Sequence, residues 1–245
     1  MTDVPRGDTV PPGDTPGPDG PYPPMPAQAG PGRTGGDAIR PAPGGPELLV
    51  DSAPPAKGAV AGPDGRLRCP WGLSTADYVA YHDEEWGRPV RGDQAIFERL
   101  CLEAFQSGLS WLTILRKREN FRKAFAGFDI PAVAAFTDAD VARLMGDAGI
   151  VRNRAKVNAA ITNARAALAV TEGLSDLVWS YAETAPRPAP RTLADLPAQT
   201  DASRALAKEL RKRGFVFTGP VTVYAAMQAC GLVNDHLEAC FARNR

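Results

Sequence analysis

Proline and glycine are spread so unevenly along this chain that only part of it can pack into a core. The first 65 of its 245 residues hold 16 of the 24 prolines and 13 of the 24 glycines, with few large apolar side chains between them. Such a stretch buries too little apolar surface to offset the entropy of ordering it, so 1–65 read as a disordered tail. Residues 66–245 remain, enough for one domain with a sizeable core. The formal charge of zero splits at the same place: 4 Lys/Arg against 8 Asp/Glu in the tail, 24 against 20 in the rest. These numbers exclude a strongly basic nucleic-acid binder, a collagen and a disulfide scaffold, and suit a modestly basic globular enzyme or binding domain. No apolar run approaches the ~20 residues that span a bilayer. No leader pattern opens the chain, and Cys69, Cys101, Cys230 and Cys240 without export signals suit a reducing compartment. A cytoplasmic protein without membrane contact is expected.

From Arg66 onward the periodicity is helical. Asp93 predicts the cap of a segment with Ile96, Phe97, Leu100, Cys101, Ala104 and Phe105 on its inner face. Ser110 predicts the next cap, with Leu112, Leu115, Phe121 and Phe125 inward. Thr137 with Asp138 and Asp140 opens a short helix, a turn over Asp147–Asn153 follows, and an Ala-rich helix runs from about Arg154 to Ala169. Thr200 or Asp201 starts another helix that ends at Gly214, and Val221–Cys230 forms the last. Phe215-Val216-Phe217 is the one short strand-like run, so the fold class is all-α. Neither a GxxxxGK[ST] loop nor a GxGxxG fingerprint occurs, which removes the usual carriers of nucleotide hydrolysis and dinucleotide chemistry.

The two histidines each stand near a cysteine: Cys69 with His82, and His236 with Cys240. Two thiolates and two neutral imidazoles can close a tetrahedral zinc shell, leaving no position for an activated water, so such an ion would be structural. It would join the beginning of the folded region to its end. Four unrelated residues remain the other reading, because this spacing is not a finger pattern. Cys101 and Cys230 lie in apolar contexts and read as packing.

Glu103 sits in Leu100-Cys101-Leu102-Glu103-Ala104-Phe105, otherwise a buried helix, where a carboxylate is costly unless bonded. The aromatics Trp71, Tyr78, Tyr81, Trp86 and Trp111 cluster nearby in sequence. Aromatic walls with one acceptor suit a flat, electron-poor ring bearing N–H donors, such as a purine; a solvent-facing glutamate beside core aromatics is the alternative. In Met145–Ala160, a glycine turn at Gly149 with Arg152, Arg154 and Lys156 can hold a DNA phosphate, or form a plain helical hairpin.

Taken in order, Arg68-Cys-Pro-Trp71, Tyr78-Val-Ala-Tyr-His-Asp-Glu-Glu-Trp-Gly87, Leu102-Glu-Ala-Phe-Gln-Ser-Gly-Leu-Ser-Trp111, Leu210-Arg-Lys-Arg-Gly-Phe215 and Met227-Gln-Ala-Cys-Gly-Leu-Val-Asn-Asp-His236 resemble the bacterial DNA-3-methyladenine glycosylase I family. The resemblance covers about 66–241. It implies a helix-hairpin-helix glycosylase-like fold with one structural zinc on Cys69, His82, His236 and Cys240. It implies Glu103 as the base-recognising carboxylate, Tyr81 and Trp111 stacking on the base, and Tyr78, Trp86 and Trp71 around them. The turn near Gly149 matches the family's DNA-backbone hairpin. The implied activity is hydrolytic removal of 3-methyladenine from alkylated double-stranded DNA by a monomer, without strand cleavage. A non-enzymatic damage binder and a glycosylase of different lesion range are the rivals. Ala104-Phe105 departs from the Gly-Gln of some relatives, beside the key glutamate.

Overall fold

The computed structural model describes residues 58–184 and 187–245, so most of the expected tail lies outside the described residues. Within them nine α-helices dominate: α1 (Ala76–Glu84), α2 (Asp93–Gln106), α3 (Trp111–Ala124), α4 (Ile130–Ala134), α5 (Asp138–Gly146), α6 (Arg154–Leu168), α7 (Leu174–Trp179), α8 (Asp201–Lys212) and α9 (Pro220–Ala229). A two-stranded antiparallel hairpin, β1 (Val60–Ala61) with β2 (Leu67–Arg68), precedes them, in register Val60 to Arg68. Val60 and Ala61 fall inside the span read as tail. No helix among the described residues is long and apolar enough to cross a membrane.

Helix α2 is the axis of the molecule. It packs against α9, α3, α7 and α6, and from Leu100 to Phe105 every side chain is buried. A helix apolar on nearly all sides belongs inside. Small residues explain the close packing of α4 on α6, whose Ala159, Ala160, Ala164 and Ala167 are all buried. Phe105 stacks its ring among Phe121 and Phe125, with centroids 4.7 and 5.7 Å away. Two positions on from Glu103, it points to nearly the opposite helix face, so it fills the core instead of shaping the space before Glu103.

Local rules set most of the helix starts. Ser110 accepts from the Thr113 amide, Thr137 and Asp140 form a capping box, and Asn153 and Thr200 cap α6 and α8. Asp93 departs from its expected role. Gly92 is the N-cap of α2, and Asp93 instead accepts from the Ser175 amide at 2.7 Å, serving the first turn of α7. Only the folded neighbour supplies that donor.

The expected strand at Phe215-Val216-Phe217 is a turn between α8 and α9. Buried Asn163 of α6 supplies what a partner strand would have supplied: its amide donates to the Val216 carbonyl at 3.0 Å, and its oxygen accepts from the Val216 N–H at 2.8 Å. Asn163→Ala removes both bonds and is expected to lower the unfolding free energy by about 2 kcal/mol. Urea denaturation reads this directly; an unchanged midpoint would mean that the turn holds itself.

Candidate functional site

Cys69 lies just after β2, His82 in α1, and His236 and Cys240 in the last loop, with 153 residues between His82 and His236. Folding brings all four ligand atoms within 4.8 Å of one another, and all four residues are buried. Cys240 Sγ lies 3.4 Å from His82 Nε2 and 3.6 Å from His236 Nδ1, while Cys69 Sγ is 3.9 Å from His236 Nδ1. A tetrahedron with normal zinc bond lengths has S–N edges of about 3.6 Å, so the donor set fits zinc in type and spacing.

The surroundings orient each ligand. His82 Nδ1 donates to Asp83 Oδ1 at 2.8 Å, which turns Nε2 toward the cluster; Arg68 grips the same carboxylate from behind at 2.8–3.1 Å. His236 Nε2 donates to the Trp86 carbonyl at 3.1 Å, leaving Nδ1 facing inward. Such outer bonds fix the tautomer a metal needs. The hydrogen bond between the two sulfurs draws the Cys240 thiol well below its ordinary range and, with burial, pushes Cys69 up. Two glycines make the fit possible. A Cβ on Gly72 would lie 2.8 Å from His82 Cγ, and one on Gly87, whose φ is +78°, 2.9 Å from His236 Nε2.

The aromatic residues form one continuous wall from this cluster to Glu103. Trp71 meets His82, Trp86, Tyr78 and Tyr81 at 5.0–6.3 Å, and Trp86 meets His236 edge-on at 4.7 Å. Tyr78 accepts from the Leu112 amide at 3.0 Å and so ties α1 to the first turn of α3, where Trp111 stands. Tyr81 and Trp111 lie 5.4 Å apart at 44°. A base sandwiched between two rings needs about 7 Å, so this pair offers a single wall and not a clamp.

Glu103 is 6% exposed, and no hydrogen bond from another described residue reaches its carboxylate, whose oxygens are not fully enclosed. Burial pushes its pKa up to about 8, with Arg99, one turn earlier on α2, pulling the other way. Arg99 is held by Glu85, which also receives both terminal nitrogens of Arg118. Burial would raise the Glu85 carboxyl, but the two guanidiniums hold it at about 2. Two buried donors stand unpartnered among the described residues, Trp111 Nε1 and Arg99 Nη1. The sequence reading missed Arg99 and Glu85, since only their charge was visible and nothing in it paired them.

The Gly149 turn is built differently from its expected form. The Gly149 N–H donates to Asp147 Oδ1 at 2.7 Å, so this amide is not free for a phosphate. Arg152 and Arg154 are exposed, but Lys156 is 8% exposed and spends its ammonium on carbonyls of the α2 end. It is removed from the set of phosphate contacts. Leu109, another residue the sequence reading passed over, is 42% exposed in the loop between Glu103 and Trp111.

A family model described as methyladenine glycosylase matches residues 71–243. DNA-3-methyladenine glycosylase 1 of Escherichia coli K12 is 49% identical over 177 residues, which cover 71% of this chain and 95% of that protein. DNA-3-methyladenine glycosylase of Haemophilus influenzae is 46% identical over 179 residues, 71% and 96% of the two chains. Among solved structures, a crystal structure of a 3-methyladenine DNA glycosylase I aligns with TM-score 0.69 at 47% identity, covering 72% of this chain and 99% of that one. The Staphylococcus aureus enzyme, solved for its recognition of 3-methyladenine, aligns with TM-score 0.69 at 36% identity, covering 73% and 97%.

A raised folded-state pKa has a thermodynamic sign. Folded Glu103 keeps a proton that the unfolded chain, at 4.5, has released, so its contribution to stability falls as pH rises from about 4.5 to about 8. Glu103→Gln is therefore expected to melt above wild type at pH 8 and close to it at pH 5. An equal difference at both pH values would contradict the buried, unpaired carboxylate.

Proposed function

The chain belongs to the methyladenine glycosylase family, and we propose that it hydrolyses the N-glycosidic bond of 3-methyladenine in alkylated double-stranded DNA, as a cytoplasmic monomer. The observation that carries this reading is the buried, unpartnered Glu103 beside an aromatic wall. Alkylation at N3 makes adenine cationic and a good leaving group, so a strong catalytic acid is not needed. Extruding the nucleotide costs a few kcal/mol of unstacking, which a damaged base lowers. Leu109, exposed in the loop between Glu103 and Trp111, is the apolar side chain we assign to fill the gap in the stack.

Inside, the base lies against the Tyr81–Trp111 wall, its positive charge strengthening the contact with the ring faces. Tyr78, Trp71 and Trp86 support that wall from behind. Glu103 accepts from the exocyclic amine. A cation entering beside it favours the ionised carboxylate, so the lesion itself draws off the proton that burial retains. Neutral adenine brings no such charge, and guanine presents an oxygen where the amine is required. Water attacks C1′ as the bond loosens. Lys117 and Lys156 are both spent on backbone carbonyls, which supports a monofunctional reaction that leaves an abasic site and an uncut strand.

Arg152, exposed in the turn after α5, and Arg154, exposed at the start of α6, are assigned to the DNA backbone, in the helix-hairpin-helix unit that the family resemblance implies. Cys69, His82, His236 and Cys240 are assigned to one zinc ion, which would supply stability and no chemistry. Cys69→Ser is expected to abolish stoichiometric zinc and lower the melting temperature by several degrees. Wild-type protein purified without metal and equally stable after chelation would exclude the ion.

Base release from alkylated duplex DNA tests the function. Wild type is expected to release 3-methyladenine in preference to 7-methylguanine, with the strand intact. Binding to the lesion without release would point to a damage sensor, and release of other bases to a different lesion range.

A further inference from the structure

Lys156 is the one lysine buried among the described residues, and its placement is specific. It lies in the first turn of α6, directly after Arg152 and Arg154. Its Nζ donates to the carbonyls of Phe105 at 2.9 Å and Ser107 at 2.5 Å. Those oxygens belong to the C-terminal end of α2, where carbonyls lack intrahelical partners and the helix dipole favours a cation. An ammonium here answers both needs, although burial lowers its pKa.

A second lysine repeats the device in the opposite direction. Lys117 of α3 donates to the carbonyls of Ala148 at 3.0 Å and Gly149 at 3.2 Å. The helix that carries Trp111 therefore holds the 147–153 turn, while the helix that follows this turn holds the 107–110 loop. That loop joins the last turn of α2, with Glu103, to the first residue of α3, Trp111. It contains Gly108 at φ +80° and the exposed Leu109. Its position sets how the rim meets the duplex when the backbone rests on Arg152 and Arg154.

We propose that Lys156 is a positioning residue, which locks the 107–110 loop to the DNA-facing start of α6 and so acts on nucleotide extrusion and not on holding the extruded base. The inference rests on the glycosylase reading above. A merely structural lysine would, on removal, weaken base binding, excision and stability together. A positioning lysine separates them.

Lys156→Met keeps the stem and removes the ammonium. Single-turnover excision of 3-methyladenine from duplex DNA is expected to slow by about tenfold or more, since small misplacements near a reacting centre have large effects. Affinity for free 3-methyladenine, measured by calorimetry, is expected to stay within about twofold of wild type. Gly108→Ala disturbs the same loop independently: nothing lies within 4 Å of the added Cβ, so it acts through the strained φ alone. It should reproduce the split, and the double variant should be no slower than the worse single one. Unchanged excision by Lys156→Met, or parallel loss of base affinity and excision, overturns the proposal. Wild-type protein that binds and releases no 3-methyladenine would instead overturn the glycosylase reading, and this inference with it.

Discussion

A carboxylate that is buried and has nothing to bond is the constraint around which this molecule is arranged. In an apolar helix face, burial holds the Glu103 carboxyl protonated up to about pH 8, and a cation beside it would favour the anion at lower pH. Holding such a group still requires a rigid support, and α2, packed by four helices, provides one. One turn earlier on α2, Arg99 is drawn to Glu85, which also engages Arg118, and Arg99 Nη1 is left without a partner among the described residues.

The second constraint is the closure of the chain's described ends upon each other. Cys69, Leu237 and Cys240 form a small core of their own, apart from the main one. Such a cluster is too small to hold two segments together by burial alone, and an ion with four protein ligands would do so. The cluster is linked to Tyr78 and Tyr81 through Trp71 and Trp86, which touch the histidines on one side and the tyrosines or each other on the other. The four-ligand cluster and the tyrosines thus share one aromatic wall.

Much of this was legible in the sequence where the cause is local. Ser110, Thr137 and Thr200 cap the helices that their spacing announces, while the apolar neighbours of Glu103 left a solvent-facing side chain open and the structure buries it. The four ligand residues also converge, although spacing alone left them ambiguous across 153 positions. What was not legible depends on partners distant in sequence. Asp93 looks like a cap for its own helix and serves another; Phe215-Val216-Phe217 alternates like a strand, yet Asn163 holds it as a turn. Lys156 reads as a surface cation beside two arginines until the carbonyls of α2 are seen to claim it. Charge patterns do not reveal which cations are already engaged.

The measurement that bears most directly on this picture is the pH profile of single-turnover 3-methyladenine excision by wild type and Glu103→Gln. The lesion in DNA carries its charge throughout, so the carboxylate is the group left to titrate at the recognition point. Wild type is expected to show an acid limb with an apparent pKa below about 8, because the bound cation favours the anion. Glu103→Gln is expected to be slow at every pH and to lack that limb. The same limb in both proteins, or a fast Glu103→Gln enzyme, would contradict recognition by a buried carboxylate.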